Sequence, residues 1–305
     1  MAHRMSVRGL SSAIIASLLS SAALAAQTPM DTIHIVTIPV ATGISMLQGS
    51  GGNIGVAVGE DGVFVIDDQF APLTERIRAA IAALSDKPVR FIVNTHWHGD
   101  HTGGNENFGK LGTVIVAHDN VRKRMSVDQF MARFNNTVKA SPKVALPILT
   151  FDDHVTFHLN GDDIHVVHVA NAHTDGDAII HWVNGNTIHM GDVFFNGMYP
   201  FIDDGSGGSI QGMIAGVDAA MHYVNDGTKI IPGHGPLATK ADLVSYREML
   251  AGIRDRVQKL ISQKKNVEQA IAAKPTAAWD ARWGNGFIKP DDFVKSVYAQ
   301  LTAKK

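Results

Sequence analysis

The spacing of apolar and polar positions predicts a chain of short strands and longer helices. Strands are predicted where apolar residues alternate with polar ones or form short unbroken runs, and helices where apolar residues recur every three or four positions. The predicted strands are 33–40, 89–95, 112–118, 164–169, 187–190 and 229–231, with hairpins over 51–68, 154–169 and 178–192 that turn at 59–62, 160–161 and 184–185. The predicted helices are 73–84, 209–223, 239–261 and a last one capped by Asn266 and Gln269. Residues 119–150 show no clear periodicity.

The order of these elements predicts an α/β fold of the αββα type. Two groups of strands are each followed by helices, and two mixed β-sheets packed face to face with helices on both outer faces would satisfy that order. Because no linker or repeat interrupts the pattern, we expect a single domain over residues 26–305.

The first 25 residues predict a signal peptide. Arg4 and Arg8 precede a small, apolar stretch that ends in Ala23-Leu24-Ala25, an A-x-A cleavage site. A short membrane anchor is the alternative, but the apolar stretch is shorter than a typical span. We therefore expect a periplasmic or secreted protein with no stable membrane insertion after cleavage of the signal.

Charge and composition exclude several classes of function. The formal net charge is only -2, so no strong positive field suggests binding to nucleic acid. The mean hydropathy of +0.02 is that of neither a membrane protein nor a disordered chain. The sequence contains no cysteine, which excludes disulfides, thiolate nucleophiles and cysteine metal ligands. Any metal must be held by nitrogen and oxygen.

Candidate chemistry is concentrated in the sequence NTHWHGDHTGGN, residues 94–105. His96 and His98 are two apart, so on an extended segment both side chains point the same way and can reach one ion. Asp100 and His101 follow where the strand ends and can turn toward a second ion. This spacing suits two adjacent metals better than one closed structural site.

Further candidate ligands lie at the ends of later predicted strands. His173 follows the strand 164–169, Asp192 follows 187–190, and His234 follows 229–231 between two glycines. Functional side chains often lie at such junctions between strand and loop.

In its ligand residues the chain resembles the metallo-β-lactamase superfamily of αββα hydrolases, with a ligand set similar to that of glyoxalase II. The resemblance implies a first metal held by His96, His98 and His173, a second held by Asp100, His101 and His234, and Asp192 bridging the two. Asp67, which ends the strand VFVID, matches an acidic position that supports the site from behind. A turn-forming aspartate is the alternative interpretation of Asp67.

Departures from individual branches of the superfamily narrow the resemblance. The oxygen-reducing di-iron branch has glutamate where this chain has His98. The best-known β-lactamases have cysteine in place of Asp192 and, three residues later, a lysine in place of Phe195. The ligands are more like those of glyoxalase II and the lactonases, whereas the export signal favours a β-lactamase-like role.

Nitrogen and oxygen ligands suit Zn²⁺, two per chain, although Fe or Mn could occupy the same set. Two such ions would share a water and lower its pKa to about 7, which supplies a hydroxide nucleophile. Asp100 is the candidate catalytic residue that orients this hydroxide and takes its proton. The expected substrate is a small molecule with a lactam, thioester or lactone bond. Asn196 and Tyr199 are candidate substrate contacts, with loop packing as the alternative.

The leading hypothesis is thus an exported binuclear zinc hydrolase, β-lactamase-like. The alternatives are a thioester or lactone hydrolase, a mononuclear iron dioxygenase acting on persulfides, and a non-enzymatic zinc-binding protein of the envelope. We expect the glycine-rich segment 203–209 to be a mobile loop near the site. The Met and Phe residues at 125–134 could form a lid, but ordinary core packing is the favoured interpretation.

Overall fold

The computed structural model describes residue 1 and residues 30–303, so the predicted signal peptide lies almost wholly outside the described residues. The strands within this part are β1 Val36–Ala41, β2 Ile44–Gln48, β3 Ile54–Gly59, β4 Gly62–Ile66, β5 Val89–Val93, β6 Val114–His118, β7 Gln129–Met131, β8 Asn136–Val138, β9 Leu149–Phe151, β10 His154–Leu159, β11 Asp162–Val169, β12 Asp177–Trp182, β13 Thr187–His189 and β14 Lys229–Ile231. The helices are α1 Thr74–Ala82, α2 Gly99–Thr102, α3 Asn105–Lys110, α4 Asp119–Met125, α5 Ile210–Ala220, α6 Lys240–Ser262, α7 Val267–Ala272, α8 Asp280–Trp283 and α9 Pro290–Thr302.

Two mixed sheets form the centre of the fold. The first has the order β1-β2-β3-β4-β5-β6-β9, antiparallel up to β4 and parallel from β4 onward. The second has the order β10-β11-β12-β13-β14, antiparallel except for the last pair. Parallel strands place their carboxyl ends on one edge, and the loops after β5, β13 and β14 contain candidate ligands.

Buried apolar side chains fill the space between the two sheets. Phe64 of the first sheet contacts Trp182 of the second at 6.5 Å between ring centroids, and Ile164, Val166 and Ile180 complete this layer. The alternation along β11, in which Ile164 and Val166 are buried, places one face of the strand on this layer. The sheets therefore pack face to face.

Helices cover the outer face of each sheet. Ile77 and Ile81 of α1 pack on the first sheet, and α5, α6 and α9 pack on the second. The capping box of Thr239 and Asp242 begins α6 and satisfies two of the free backbone N–H groups at the helix start. The predicted αββα arrangement is confirmed. None of the helices in the described ranges is both long and apolar enough to span a bilayer.

Most elements lie near their predicted positions, and the differences have local causes. The hairpin turns at 59–62 and 160–161 form as predicted, with Asn160 and Gly161 both at positive φ. The first strand begins at Val36 rather than at residue 33, and β2 was not predicted. Asn266 and Gln269 do begin a helix with a capping box, but it is not the last one, because α8 and α9 follow.

The segment 119–150 consists of small elements. It contains α4, the hairpin of β7 and β8, which we call the flap (residues 129–138), and the edge strand β9. The expectation of core packing for the Met and Phe residues at 125–134 holds for buried Met125 but is wrong for Phe130 and Phe134, which are 62% and 45% exposed. Both lie on the flap, whose two strands form a separate sheet.

Candidate metal centre

The predicted ligands converge at the edge where β5, β13 and β14 end. His96 and His98 lie in the segment between β5 and α2, whereas Asp100 and His101 lie in α2 itself. His173, Asp192 and His234 reach the same place from loops of the second sheet. They form two groups able to hold a metal ion: His96, His98, His173 and Asp192 in one, and Asp100, His101 and His234 in the other.

The first group directs its nitrogen atoms at one point. His98 Nδ1 lies 3.1 Å from His96 Nε2 and 2.9 Å from His173 Nε2. Asp192 Oδ2 lies 3.4 Å from His173 Nε2 and 3.9 Å from His96 Nε2. All four residues are buried. The three imidazoles and one carboxylate oxygen therefore surround a common space.

The second group uses the other oxygen of the same aspartate. Asp192 Oδ1 lies 3.2 Å from His101 Nε2 and 3.4 Å from His234 Nε2. Asp100 Oδ2 lies 3.3 Å from His234 Nε2 and 3.6 Å from His101 Nε2. Asp192 thus has one oxygen in each group, as a bridging ligand requires.

The donor atoms in the second group fit a metal. Both His101 Nε2 and Asp192 Oδ1 are buried and have no hydrogen-bond partner among the described residues. Leaving such atoms without a partner is costly, so a buried polar group without one points to a ligand that supplies it. Imidazole nitrogen and carboxylate oxygen are ligands that Zn²⁺ accepts in tetrahedral or five-coordinate sites.

Asp67 orients His101 from behind. Its Oδ2 lies 2.7 Å from His101 Nδ1, so the ring donates there and leaves Nε2 facing Asp192. Thr95 donates to Asp67 through its backbone N–H and its hydroxyl, at 2.7 and 2.8 Å. Asp67 has a φ of 61°, an uncommon backbone conformation for aspartate that these contacts maintain. Asp67 therefore lies next to the candidate ligand His101, where the predicted supporting role requires it.

Two further contacts orient the ligands of the first group. Asp203 Oδ2 lies 2.9 Å from His98 Nε2, which leaves His98 Nδ1 to face its neighbours. The carbonyl oxygen of Phe201 accepts from His173 Nδ1 at 2.8 Å. The sequence predicts the loop 203–209 near the site, but no local signal identifies Asp203 as the partner of His98.

Burial and charge divide the histidines into two kinds. Burial lowers the pKa of His96 well below its ordinary value and that of His173 to about 4, so both rings are neutral and able to act as ligands. Burial also opposes protonation of His234, but the carboxylates of Asp192 and Asp100 raise its pKa to about 9. The second group therefore has excess negative charge, which a divalent cation would neutralise in place of protons.

Two glycines make room for the ligands. A Cβ atom on Gly52 would lie 2.1 Å from the ring of His101, and one on Gly233 would lie 2.1 Å from Asp192 Oδ1. From the sequence, Gly52 is predicted only to lie within the hairpin 51–68. Its function here is close approach of the backbone to a ligand.

The two candidate substrate contacts have other partners. Tyr199 is buried, and its hydroxyl donates to Asp280 Oδ1 at 2.8 Å while its ring stacks on Phe293. The side chain of Tyr199 points into the C-terminal helices, which favours the packing interpretation of this residue over a contact with substrate. Asn196 donates to the carbonyl of Pro236 at 3.0 Å, so it fixes the loop of His234.

Comparison with known proteins agrees with this geometry. A profile described as the metallo-beta-lactamase superfamily matches residues 47–240. A hydroxyacylglutathione hydrolase of Nitrosococcus oceani is 34% identical over 123 residues, which cover 35% of this chain and 45% of that enzyme. Another, from Polaromonas sp., is 23% identical over 193 residues, covering 60% of this chain and 66% of that enzyme. The chain thus spans about half to two thirds of the length of these relatives.

The fold also matches solved structures. A metallo-beta-lactamase from Pontibacter korlensis superposes with a TM-score of 0.58 over 72% of this chain and 99% of that one, at 17% identity. At this identity the match concerns the fold alone.

Proposed function

We infer the function from the family of the protein: the match over residues 47–240 shows that the chain belongs to the metallo-β-lactamase superfamily of metal-dependent hydrolases. We propose that it is a binuclear zinc hydrolase that opens an activated acyl bond in a small molecule. The ions would be held by His96, His98 and His173 in the first position and by Asp100, His101 and His234 in the second.

The observation that supports this most strongly is the position of Asp192. Its two oxygen atoms lie in different ligand groups, each within 3.4 Å of histidine nitrogen. A site for a single iron, or for a structural zinc closed by four protein ligands, would need only one of these groups. Two groups joined by one carboxylate favour a binuclear hydrolase over the iron dioxygenase and over the non-enzymatic zinc protein.

When bound, two zinc ions would lower the pKa of a shared water to about 7 and polarise the substrate carbonyl. Asp100 is suited to hold and move the proton of that water. Its side chain is 26% exposed, whereas that of Asp192 is only 5% exposed, so it faces the opening of the site. Burial opposes ionisation, but His101 and His234 hold the pKa of Asp100 below its usual range, so the group is ionised and its oxygen can accept a hydrogen bond from that water.

For the bond that is hydrolysed, we propose a thioester first. The relatives from Nitrosococcus oceani and Polaromonas sp. are named for hydrolysis of an acyl group from glutathione. The best-known β-lactamases bind a substrate carboxylate with a lysine at the position of Phe195. In this chain the ring of Phe195 instead stacks on His234, with 5.1 Å between ring centroids. Lactones and β-lactams are the next substrates to assay.

We further propose that the protein is exported and acts in the periplasm or outside the cell. The basic, apolar and A-x-A segments of residues 1–25 support this. N-terminal sequencing of the protein from cell fractions should find the mature chain starting near Ala26. Full-length protein in the cytoplasm would contradict it.

The function is tested by metal-dependent hydrolysis. Purified protein should contain about two zinc ions per chain and hydrolyse S-(2-hydroxyacyl)glutathione in a chelator-sensitive manner. His96→Ala should lose zinc and turnover together, whereas His165→Gln, a histidine on β11 outside both groups, should keep both. A His96→Ala protein that retains zinc and activity would contradict the ligand assignment. One iron per chain would favour the dioxygenase.

A further inference from the structure

Three phenylalanines extend from the metal centre to the surface, and we call them the aromatic row: Phe201, Phe134 and Phe287. The ring of Phe201 lies 5.8 Å from that of His98 and 5.7 Å from that of His173. Phe134 contacts Phe201 at 5.6 Å and Phe287 at 5.9 Å. The row therefore begins beside the first ligand group.

The members of the row come from three separate parts of the chain. Phe134 lies at the tip of the flap, Phe201 follows the loop of Asp192, and Phe287 lies between α8 and α9. Residue 287 is outside the part matched by the superfamily profile. The row therefore joins two residues of the matched region, Phe134 and Phe201, to one that lies beyond it.

Exposure increases along the row away from the ligands. Phe201 is partly buried, whereas Phe134 and Phe287 are 45% and 62% exposed. Contiguous exposed apolar surface beside a cleft is a common feature of ligand-binding sites, since its cost in water is recovered when a ligand covers it.

Arg133 fastens the flap without making the row polar. Its guanidinium lies 5.4 Å above the ring of Phe287 and 3.3 Å from Asp292 of α9. The charge of Arg133 is therefore paired with that of Asp292. Phe201 also lines a neighbouring groove of about 410 Å³, whose lining includes the charged side chains of Asp292 and Lys295, so this groove is separate from the apolar row.

From these contacts we infer that the aromatic row is a subsite for a flat, apolar group next to the hydrolysed bond, such as an aryl or arylalkyl acyl group. This inference rests on the proposed hydrolase function, because it assigns the substrate class of the same metal centre. It predicts that the enzyme prefers thioesters with an aryl or arylalkyl acyl group to thioesters with a short aliphatic acyl group.

A thiol that binds the metal tests the row without any turnover. The cobalt-loaded protein would be titrated with phenylmethanethiol and with ethanethiol while the cobalt–thiolate absorption is followed. Covering about 55 Å² more apolar surface at about 25 cal/mol per Å² corresponds to roughly tenfold tighter binding of the aromatic thiol. The Phe134→Ala/Phe287→Ala protein should lose most of this preference for the aromatic thiol. The ratio of its affinities for phenylmethanethiol and ethanethiol should therefore fall about fivefold or more.

Phe130→Ala is the matched control. Phe130 is an exposed phenylalanine of the same flap, and among the ring contacts of the described residues none joins it to the row. It should leave the ratio of thiol affinities unchanged. Phe287→Leu, which keeps an apolar side chain and the fold, should reduce the ratio by a smaller factor than the double variant.

The outcomes separate this inference from the proposed function. Equal ratios in wild type and in the double variant, or an equal fall in Phe130→Ala, would overturn the row as a subsite. In parallel, kcat/KM for phenylacetyl and acetyl thioesters with the same leaving group should differ about tenfold in wild type and converge in the double variant. Thiol discrimination by the row without hydrolysis of any thioester, lactone or lactam would contradict the hydrolase but support the subsite. A protein that binds no cobalt would overturn both.

Discussion

Asp203 provides a sharp test of how the ligands are oriented. It is buried, and its Oδ2 lies 2.9 Å from His98 Nε2. Burial would raise the pKa of Asp203, but the hydrogen bond and charge of His98 hold it below the ordinary value, so the carboxylate is ionised at neutral pH. Asp203 therefore fixes the tautomer of His98 in which Nδ1 is free to bind a metal.

Replacement of Asp203 by alanine removes this acceptor while the backbone contact to the His173 carbonyl remains. Loss of the partner of a ligating histidine weakens metal binding by about 10- to 100-fold, which corresponds to roughly 1.4–2.7 kcal/mol. We expect Asp203→Ala to weaken binding of the first zinc by that factor. Asp203→Asn should have a smaller effect, because its amide oxygen still accepts from His98.

Competition for zinc with a chromophoric chelator measures this affinity directly. Asp204→Ala is the matched control, because Asp204 is the next residue and is exposed, and its carboxylate accepts only from the adjacent Gly205 N–H at 3.0 Å in the described contacts. A zinc affinity of Asp203→Ala within about twofold of wild type, at unchanged stability, would refute the orienting role.

Three further changes follow from the structure. Arg124→Met should lower the free energy of unfolding by about 1.5–3 kcal/mol in urea denaturation, because Arg124 pairs with both oxygens of Asp175 at 2.7 and 2.8 Å; an unchanged midpoint would argue against this pair. Gly52→Ala should reduce zinc content because its Cβ would meet a ligand ring, whereas Gly99→Ala, with nothing within 4 Å of its Cβ, should not; equal zinc in both would contradict this. Tyr199→Phe should cost about 1–2 kcal/mol of stability and leave KM unchanged, and a raised KM would restore it as a substrate contact.

The sequence predicts the metal centre well because its ligands follow strands. His96 and His98 end the segment after β5, and Asp192 and His234 follow β13 and β14 directly. β5 belongs to the first sheet and β13 and β14 to the second, and the carboxyl ends of these strands meet at one edge of the sandwich. Local pattern and position in the chain were therefore sufficient. The αββα layers followed from the same order of elements.

The parts that were missed lack such a pattern. The flap strands are three residues each, too short for alternation to be recognised. Asp203 lies in a glycine-rich turn, and its pairing with His98 spans 105 positions that no local signal connects. Tyr199 was a candidate substrate contact, with packing as the alternative, because it is near Asp192 in sequence, but proximity along the chain does not determine the direction of a side chain.

The central claim is that Asp192 joins two metal positions. It is tested most directly by zinc-edge anomalous diffraction from crystals of the purified, zinc-loaded protein. We expect two peaks about 3.5–4 Å apart, with one oxygen of Asp192 directed at each. A single peak, or two peaks of which only one is within bonding distance of Asp192, would contradict it.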